Sequence, residues 1–249
     1  SNNVKIKMMD KSKTVILGSG VSGIGAVKLA QKKGLDIFLS DSKNIKSETK
    51  KLLSKLEVIY EEDGHTESLI KDSNEIIISP GIDLRSLIKS KPSLKKKKII
   101  SEVEFASRYT NAFIIAVTGT NGKTTTSKLI YHILKNSGFN VGLAGNIGYS
   151  FSESIVENQF DYYVLELSSF QLEHIINFRP DISIITNISP DHLDRYDNKL
   201  ESYADAKFNI IRNQKSSDFF IYNGDCAVTT NKINNVNSKA SAICFHSSK

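Results

Sequence analysis

The chain has 249 residues, 39% hydrophobic and 24% charged, which is enough for two ordinary globular domains with a buried core. Lys and Arg number 33 against 27 Asp and Glu, but the excess gathers in runs such as Lys95 to Lys98, a solvated edge rather than an arginine-rich, aromatic-laced surface, which argues against nucleic acid as a partner. No apolar run approaches the roughly 20 residues of a membrane span, Ser1 to Asp10 lack the apolar core of a signal peptide, and Cys226 and Cys244 match neither a disulfide framework nor a zinc site, so a cytoplasmic protein with reduced thiols and no membrane partner is expected.

From Thr14 onward, short apolar runs alternate with helix-like stretches, the pattern of repeated βαβ units and a parallel sheet. The predicted fold class is α/β: a Rossmann-like domain over residues 1–110, then a P-loop ATPase-type domain over residues 111–249. Strands are predicted first at Thr14–Leu17, Asp36–Leu39, Val58–Tyr60, Glu75–Ile78 and Ile99–Ile100. Between the first two lies Gly18-Ser19-Gly20-Val21-Ser22-Gly23, a glycine turn that opens a helix, with Asp41 at the end of the next strand. This is a dinucleotide fingerprint in the right setting. NAD is the default ligand for it, yet no downstream segment reads as a hydride-transfer site, and the same turn serves any phosphate-bearing ligand or a purely structural bend.

The second domain opens with Phe113-Ile114-Ile115-Ala116-Val117, a continuous apolar run expected of a strand buried on both faces. Thr118-Gly119-Thr120-Asn121-Gly122-Lys123-Thr124-Thr125 follows, then a helix from about Lys123 to Asn136 that Gly138 can cap. In such a turn, backbone N–H groups and the helix N-terminus cradle phosphate oxygens, Lys123 neutralises the β/γ-phosphates, and the Thr124 hydroxyl ligates magnesium. The turn departs from the general P-loop pattern at one place, where Val117 stands instead of glycine. Two phosphate-binding turns imply two phosphorylated ligands.

Further strands are predicted at Val141–Leu143, Tyr162–Leu165, Ile182–Thr186, Phe219–Tyr222 and Ala242–Phe245. A sheet still adding strands so near Lys249 is expected to belong to a domain that continues. Glu166, ending the third of the domain's apolar runs, could face the P-loop and hold magnesium, or be an ordinary strand-end acid. Asp191-His192-Leu193-Asp194-Arg195-Tyr196 clusters a histidine with carboxylates, which by itself is as often a turn network as a ligand set. Lys207, read alone, is a surface helix residue.

Taken together, the segments resemble the Mur ligase family. The resemblance rests on TGTNGKTT at 118–125, GNIG at 145–148, LELSSFQLE at 165–173, SPDHLDRY at 189–196 and ADAKFNI at 204–210, supported by SPGI at 79–82 and SEVE at 101–104. The string beginning Glu166-Leu167-Ser168-Ser169-Phe170-Gln171 points to the branch that adds D-glutamate to UDP-N-acetylmuramoyl-L-alanine.

The resemblance implies an ATP- and Mg2+-dependent amide ligase acting through an acyl phosphate, in peptidoglycan precursor synthesis. It implies a Rossmann-like domain for the UDP group, on Gly18, Ser19, Gly20, Val21, Ser22, Gly23, Asp41 and Ser42, with Asn146 near the muramoyl-alanine end. ATP falls to Gly119, Thr120, Asn121, Gly122, Lys123, Thr124 and Thr125. One magnesium falls to Thr124 and Glu166, and a second to His192 and to Lys207, whose family equivalent is carbamylated. Lys123, His192 and Lys207 are the catalytic assignments. A monomer is expected. No segment matches the family's C-terminal domain, so this stretch alone is expected to be inactive, with an open site and an unmodified Lys207. Rival readings are another Mur or folylpolyglutamate-type ligase and a non-catalytic nucleotide-binding module.

Overall fold

Thr14-Val15-Ile16-Leu17 presents no charged side chain on either face, so it can be buried on both, and it forms strand β1 with all four residues buried. The computed structural model describes residues 14–247, and Ser1 to Asp10 lie outside that range. The chain divides into two units, one up to Ile100 and one from Ser101 onward.

In the first unit β1 leads to helix α1 (Val21–Lys32), followed by β2 (Ile37–Ser40), α2 (Ser47–Lys55), β3 (Ile59–Glu61), α3 (Glu67–Ile70), β4 (Glu75–Ile78), α4 (Leu84–Ser90) and β5 (Lys98–Ser101). The strands lie in the order β3-β2-β1-β4-β5, and β1 pairs in parallel with β2 and β4. The strand order therefore reverses at β1, which places the Gly18–Gly23 turn at the crevice where open α/β sheets take ligands. Val15, Leu17, Phe38, Ile76 and Ile78 form the core of this unit with Leu87 and Leu94.

The second unit begins with α5 (Glu102–Ser107) and β6 (Phe113–Thr118), and continues through α6 (Lys123–Asn136), β7 (Val141–Gly145), α7 (Phe151–Glu157) and β8 (Tyr162–Glu166). It ends with α8 (Ser169–Leu172), β9 (Ile182–Ile185), α9 (Leu200–Phe208), β10 (Phe219–Asn223), α10 (Ala227–Ile233) and β11 (Ser241–Phe245). Six strands lie in the order β11-β10-β9-β6-β8-β7, and every neighbouring pair is parallel. As the apolar run predicts, Ile114 to Thr118 are buried without interruption. Ile115, Val117 and Ile184 pack under Ile130 and Leu134 of α6, and burying each such side chain contributes roughly 1.5–3 kcal/mol. Gly138, just past α6, takes the left-handed conformation (φ +85°) that ends a helix there.

Two buried carboxylates brace this unit from α5. Glu104 Oε2 accepts from the backbone N–H groups of Ile176, Asn177 and Phe178 at 2.7–2.9 Å. Glu102 Oε1 accepts from the Ser152 N–H at the start of α7. No helix among the described residues is long and apolar enough to cross a membrane.

Candidate nucleotide and metal site

Because β6 lies between β8 and β9 and all three run parallel, Thr118, Glu166 and Ile185 reach the same edge of the sheet in register. The glycine-rich turn leaves β6 at that edge. Gly119 has φ +147°, and a Cβ there would fall 2.0 Å from Thr186 Oγ1, so only glycine allows the loop to pass so close to β9. Gly122 (φ +81°) is the N-cap of α6 and offers no side-chain acceptor, which leaves the N–H groups of the first turn free for an anion.

The loop is held from the end of β9. The Asn121 N–H donates to Asn187 Oδ1 (3.0 Å), while Asn187 Nδ2 (2.9 Å) and Thr186 Oγ1 (2.6 Å) both donate to the Asn121 carbonyl. The Thr120 N–H donates to the Asn187 carbonyl, and Thr120 Oγ1 accepts from the Ser189 N–H. Bonds of this kind contribute about 1 kcal/mol each, so the loop conformation is fixed before any ligand arrives. Lys123 Nζ donates to the Gly119 and Thr120 carbonyls at 2.9 and 2.7 Å, which keeps its charge over the turn.

On the other flank, Thr124 Oγ1 donates to Glu166 Oε2 (2.6 Å), and Asn146 Nδ2 donates to Glu166 Oε1 (2.9 Å). Glu166 is only 1% exposed. A hydroxyl and a buried carboxylate side by side at a phosphate loop are hard oxygen donors of the kind magnesium takes, so this pair fits that cation.

Lys207, on α9, is 1% exposed and donates to the Gly119 carbonyl at 2.9 Å, with Nζ 4.5 Å from the centre of the Tyr203 ring. The reading of Lys207 as a surface residue is therefore overturned, because α9 turns this side chain inward under the phosphate loop. Burial pulls its amine down to about 7; the Lys123 ammonium adds to this, and Asp191 opposes it.

His192 stands apart. Its side chain is 56% exposed, 3.6 Å from Asp191, and its ring lies 5.4 Å from that of Phe170. Among the described residues no group of three or more His, Cys, Asp or Glu side chains is placed to hold a metal. As an ammonium Lys207 is a donor, so a cation would fit at Lys207 and His192 only with the amine converted to an anionic oxygen ligand. Thr125 is exposed on the first turn of α6.

In the first unit Asp41 turns onto the glycine loop. Its Oδ2 accepts from the Ser19 N–H and hydroxyl, both at 2.6 Å, and Oδ1 accepts from the Lys43 N–H. Burial pushes this carboxyl up, but the Ser19 and Lys43 donors outweigh it and hold it below the ordinary range. Gly20 and Ser42 are exposed beside it, and Val21 and Ser22 begin α1. Sequence reasoning missed the neighbouring network in which Ser40 Oγ meets Glu61 Oε1 and His65 Nδ1, each at 2.6 Å. It also missed the grip of Thr186 and Asn187 on the phosphate loop, whose only signal was a polar pair directly after an apolar strand.

Fold and site together define an α/β protein of the P-loop type, preceded by a Rossmann-like unit. Residues 117–249 match the Mur ligase middle domain and residues 13–88 the MurD N-terminal domain. The chain belongs to the Mur ligase family. It is 51% identical over 211 residues to the UDP-N-acetylmuramoylalanine–D-glutamate ligase of Bacteroides thetaiotaomicron, covering 85% of this chain and 48% of that protein. The protein of the same name from Porphyromonas gingivalis is 49% identical over 216 residues, with 86% and 48% covered. The chain thus spans about half the length of the curated relatives it matches. Among solved structures, UDP-N-acetylmuramate:L-alanyl-gamma-D-glutamyl-meso-diaminopimelate ligase from Neisseria meningitides shares the fold, with a TM-score of 0.60 at 18% identity, covering 94% of this chain and 78% of that one. The UDP-N-acetylmuramate-alanine ligase of Thermotoga maritima does likewise, with a TM-score of 0.55 at 22% identity and 95% and 53% covered.

Proposed function

We propose that the chain carries the UDP-substrate-binding and ATP-binding parts of a ligase that joins D-glutamate to UDP-N-acetylmuramoyl-L-alanine. The observation that carries this reading is the convergence of Lys123, Thr124, Glu166 and Lys207 on one phosphate loop, in a chain about half identical to ligases of that name. A carboxylate is a poor electrophile, and transfer of the ATP γ-phosphoryl group to the muramoyl-alanine carboxylate supplies a leaving group that the amine of D-glutamate displaces. Both steps crowd anionic oxygens together, so the site needs positive charge and oriented N–H donors rather than a covalent nucleophile.

In this reading Lys123 and the first-turn N–H groups of α6 hold the phosphates. Thr124 and Glu166, oriented by Asn146, hold a magnesium ion, which when bound would neutralise phosphate charge. Lys207, as a carbamate formed by addition of its neutral amine to carbon dioxide with loss of a proton, would act with His192 at a second cation. Gly18–Gly23, Asp41 and Ser42 take the uridine diphosphate group, residues 1–110 serving as the UDP-substrate domain. Calorimetry tests the nucleotide part: Mg-ADP should bind this chain, and Lys123→Ala should abolish the binding. Equal affinity in the variant overturns the assignment. Phosphate release dependent on both UDP-N-acetylmuramoyl-L-alanine and D-glutamate, measured on a form that includes the remaining half of the relatives' length, tests the reaction.

A further inference from the structure

The two cysteines of the chain differ sharply in their surroundings. Cys226 is half-buried, and its Sγ lies 3.3 Å from the Ile188 N–H, which donates to it. Cys244 is exposed near the end of β11, in register with Tyr222 of β10, and its Sγ lies 3.4 Å from His246 Nε2. The other ring nitrogen, His246 Nδ1, lies 3.1 Å from Asp225 Oδ1 in the turn between β10 and α10. Asp225 is fixed in turn through Oδ2, which accepts from the Ser247 N–H at 2.7 Å and the Ser247 hydroxyl at 2.6 Å. These Ser247 donors, with His246, hold the carboxyl down at about 2, so it stays anionic at any physiological pH. Gly224 makes room for the group: a Cβ there would fall 2.4 Å from Cys244 Sγ and 2.3 Å from the imidazole.

A thiol, an imidazole and a carboxylate in this sequence of contacts form a proton relay. The carboxylate selects the tautomer with the proton on Nδ1, which leaves Nε2 as the acceptor facing sulfur. The thiolate is the attacking form of cysteine, and a base at hydrogen-bonding distance can deliver it as the attack proceeds. Because the thiol is open to solvent, the arrangement suits a small reagent that brings its own leaving group rather than a substrate needing a pocket.

We propose that Cys244 is a modification site, a thiol activated by His246 and Asp225 that exchanges with small-molecule disulfides. The Sγ–H proton passes to His246 Nε2 as sulfur attacks one atom of the disulfide. A new S–S bond to Cys244 forms, the old S–S bond breaks, and the departing thiolate takes the proton from the imidazolium. The disulfide is the oxidant, and the chain gains one mixed disulfide for each thiol released. The added group stands at the same edge of the parallel sheet from which β6 sends out the phosphate loop.

Oxidised glutathione is the probe, with intact mass and peptide mapping of the 249-residue chain as the readout. Cys244 should form the mixed disulfide at least about tenfold faster than Cys226, and His246→Gln should slow it by about tenfold or more. Asp225→Asn should give an intermediate rate, and added imidazole should restore part of the rate lost in His246→Gln. Cys244 reacting no faster than Cys226, or at the same rate in His246→Gln with an unchanged circular dichroism spectrum, overturns the proposal. Failure of imidazole to restore the rate overturns the role of His246 as proton acceptor.

Discussion

At the scale of single residues, the consequences turn on what burial does to charge. Glu102 is fully buried, its Oε2 has no hydrogen-bond partner among the described residues, and burial pushes its carboxyl up from 4.5 to about 7 against the opposing Ser152 N–H. Raised in the folded state, it binds its proton more tightly there than in the unfolded chain. The stability it confers is therefore complete below about 4.5 and lost as pH rises through 7. The shift corresponds to roughly 3 kcal/mol at most. Glu102→Gln, which keeps an acceptor for the Ser152 N–H, should raise the melting temperature by several degrees at pH 8 and leave it nearly unchanged at pH 4; equal effects at both would show that the ionisation is not what costs stability. At Lys207 the consequence is chemical. A buried amine under the phosphate loop should take up label from 13C-bicarbonate as a carbamate, and Lys207→Arg should lose that NMR signal. A spectrum with no carbamate resonance in either protein would restore the expectation of an unmodified lysine.

At the scale of elements, the phosphate loop is held in shape by a neighbour in the sheet more than by its own glycines. Gly119→Ala would meet both an unfavourable φ and the Thr186 hydroxyl, and should destabilise the second unit by about 1–3 kcal/mol in urea denaturation. Removing the hydroxyl as well, with Thr186→Ala, should recover only part of the loss, since Asn187 backbone atoms still lie 3.1–3.2 Å from the added carbon. Full recovery would show that backbone strain plays no part. Glu104→Ala tests the brace from α5. It strands three N–H groups of residues 176–178, of which that of Phe178 is buried, and should cost about 2 kcal/mol or more, whereas a change within about 0.5 kcal/mol would remove Glu104 from the framework.

At the scale of the whole molecule, two parallel sheets each present a glycine turn at a strand's C-terminal end, so the proposed function makes each unit answer to its own ligand. In hydrogen exchange, a uridine diphosphate ligand should protect Gly18–Gly23 and residues 41–43, while Mg-ADP should protect residues 119–125. A ligand at a hundred times its Kd adds about 2.7 kcal/mol to the unit that binds it. Protection by NAD and none by the uridine ligand would reverse the reading of the first turn. The strands and the glycine turns are legible from residue order, because a fully apolar run, a turn that demands glycine and a helix stop are local events contained within a dozen residues. The structure begins β1 at Thr14, β4 at Glu75 and α6 at Lys123, where the pattern places them. Most of the side-chain meetings at the site come from the fold. Thr124 meets Glu166 across 42 positions, as the family resemblance implies, but Asn121 reaches Asn187 across 66 and Gly119 reaches Lys207 across 88 with no such signal, because the order β9-β6-β8 brings distant strand ends to one edge. Strand order is settled by which faces can be buried together over the entire chain, and no local pattern encodes it. Lys207, which apart from the family resemblance reads as a surface lysine, is placed by the fold beneath the phosphate loop, and Cys244, which reads only as a reduced thiol, stands beside His246.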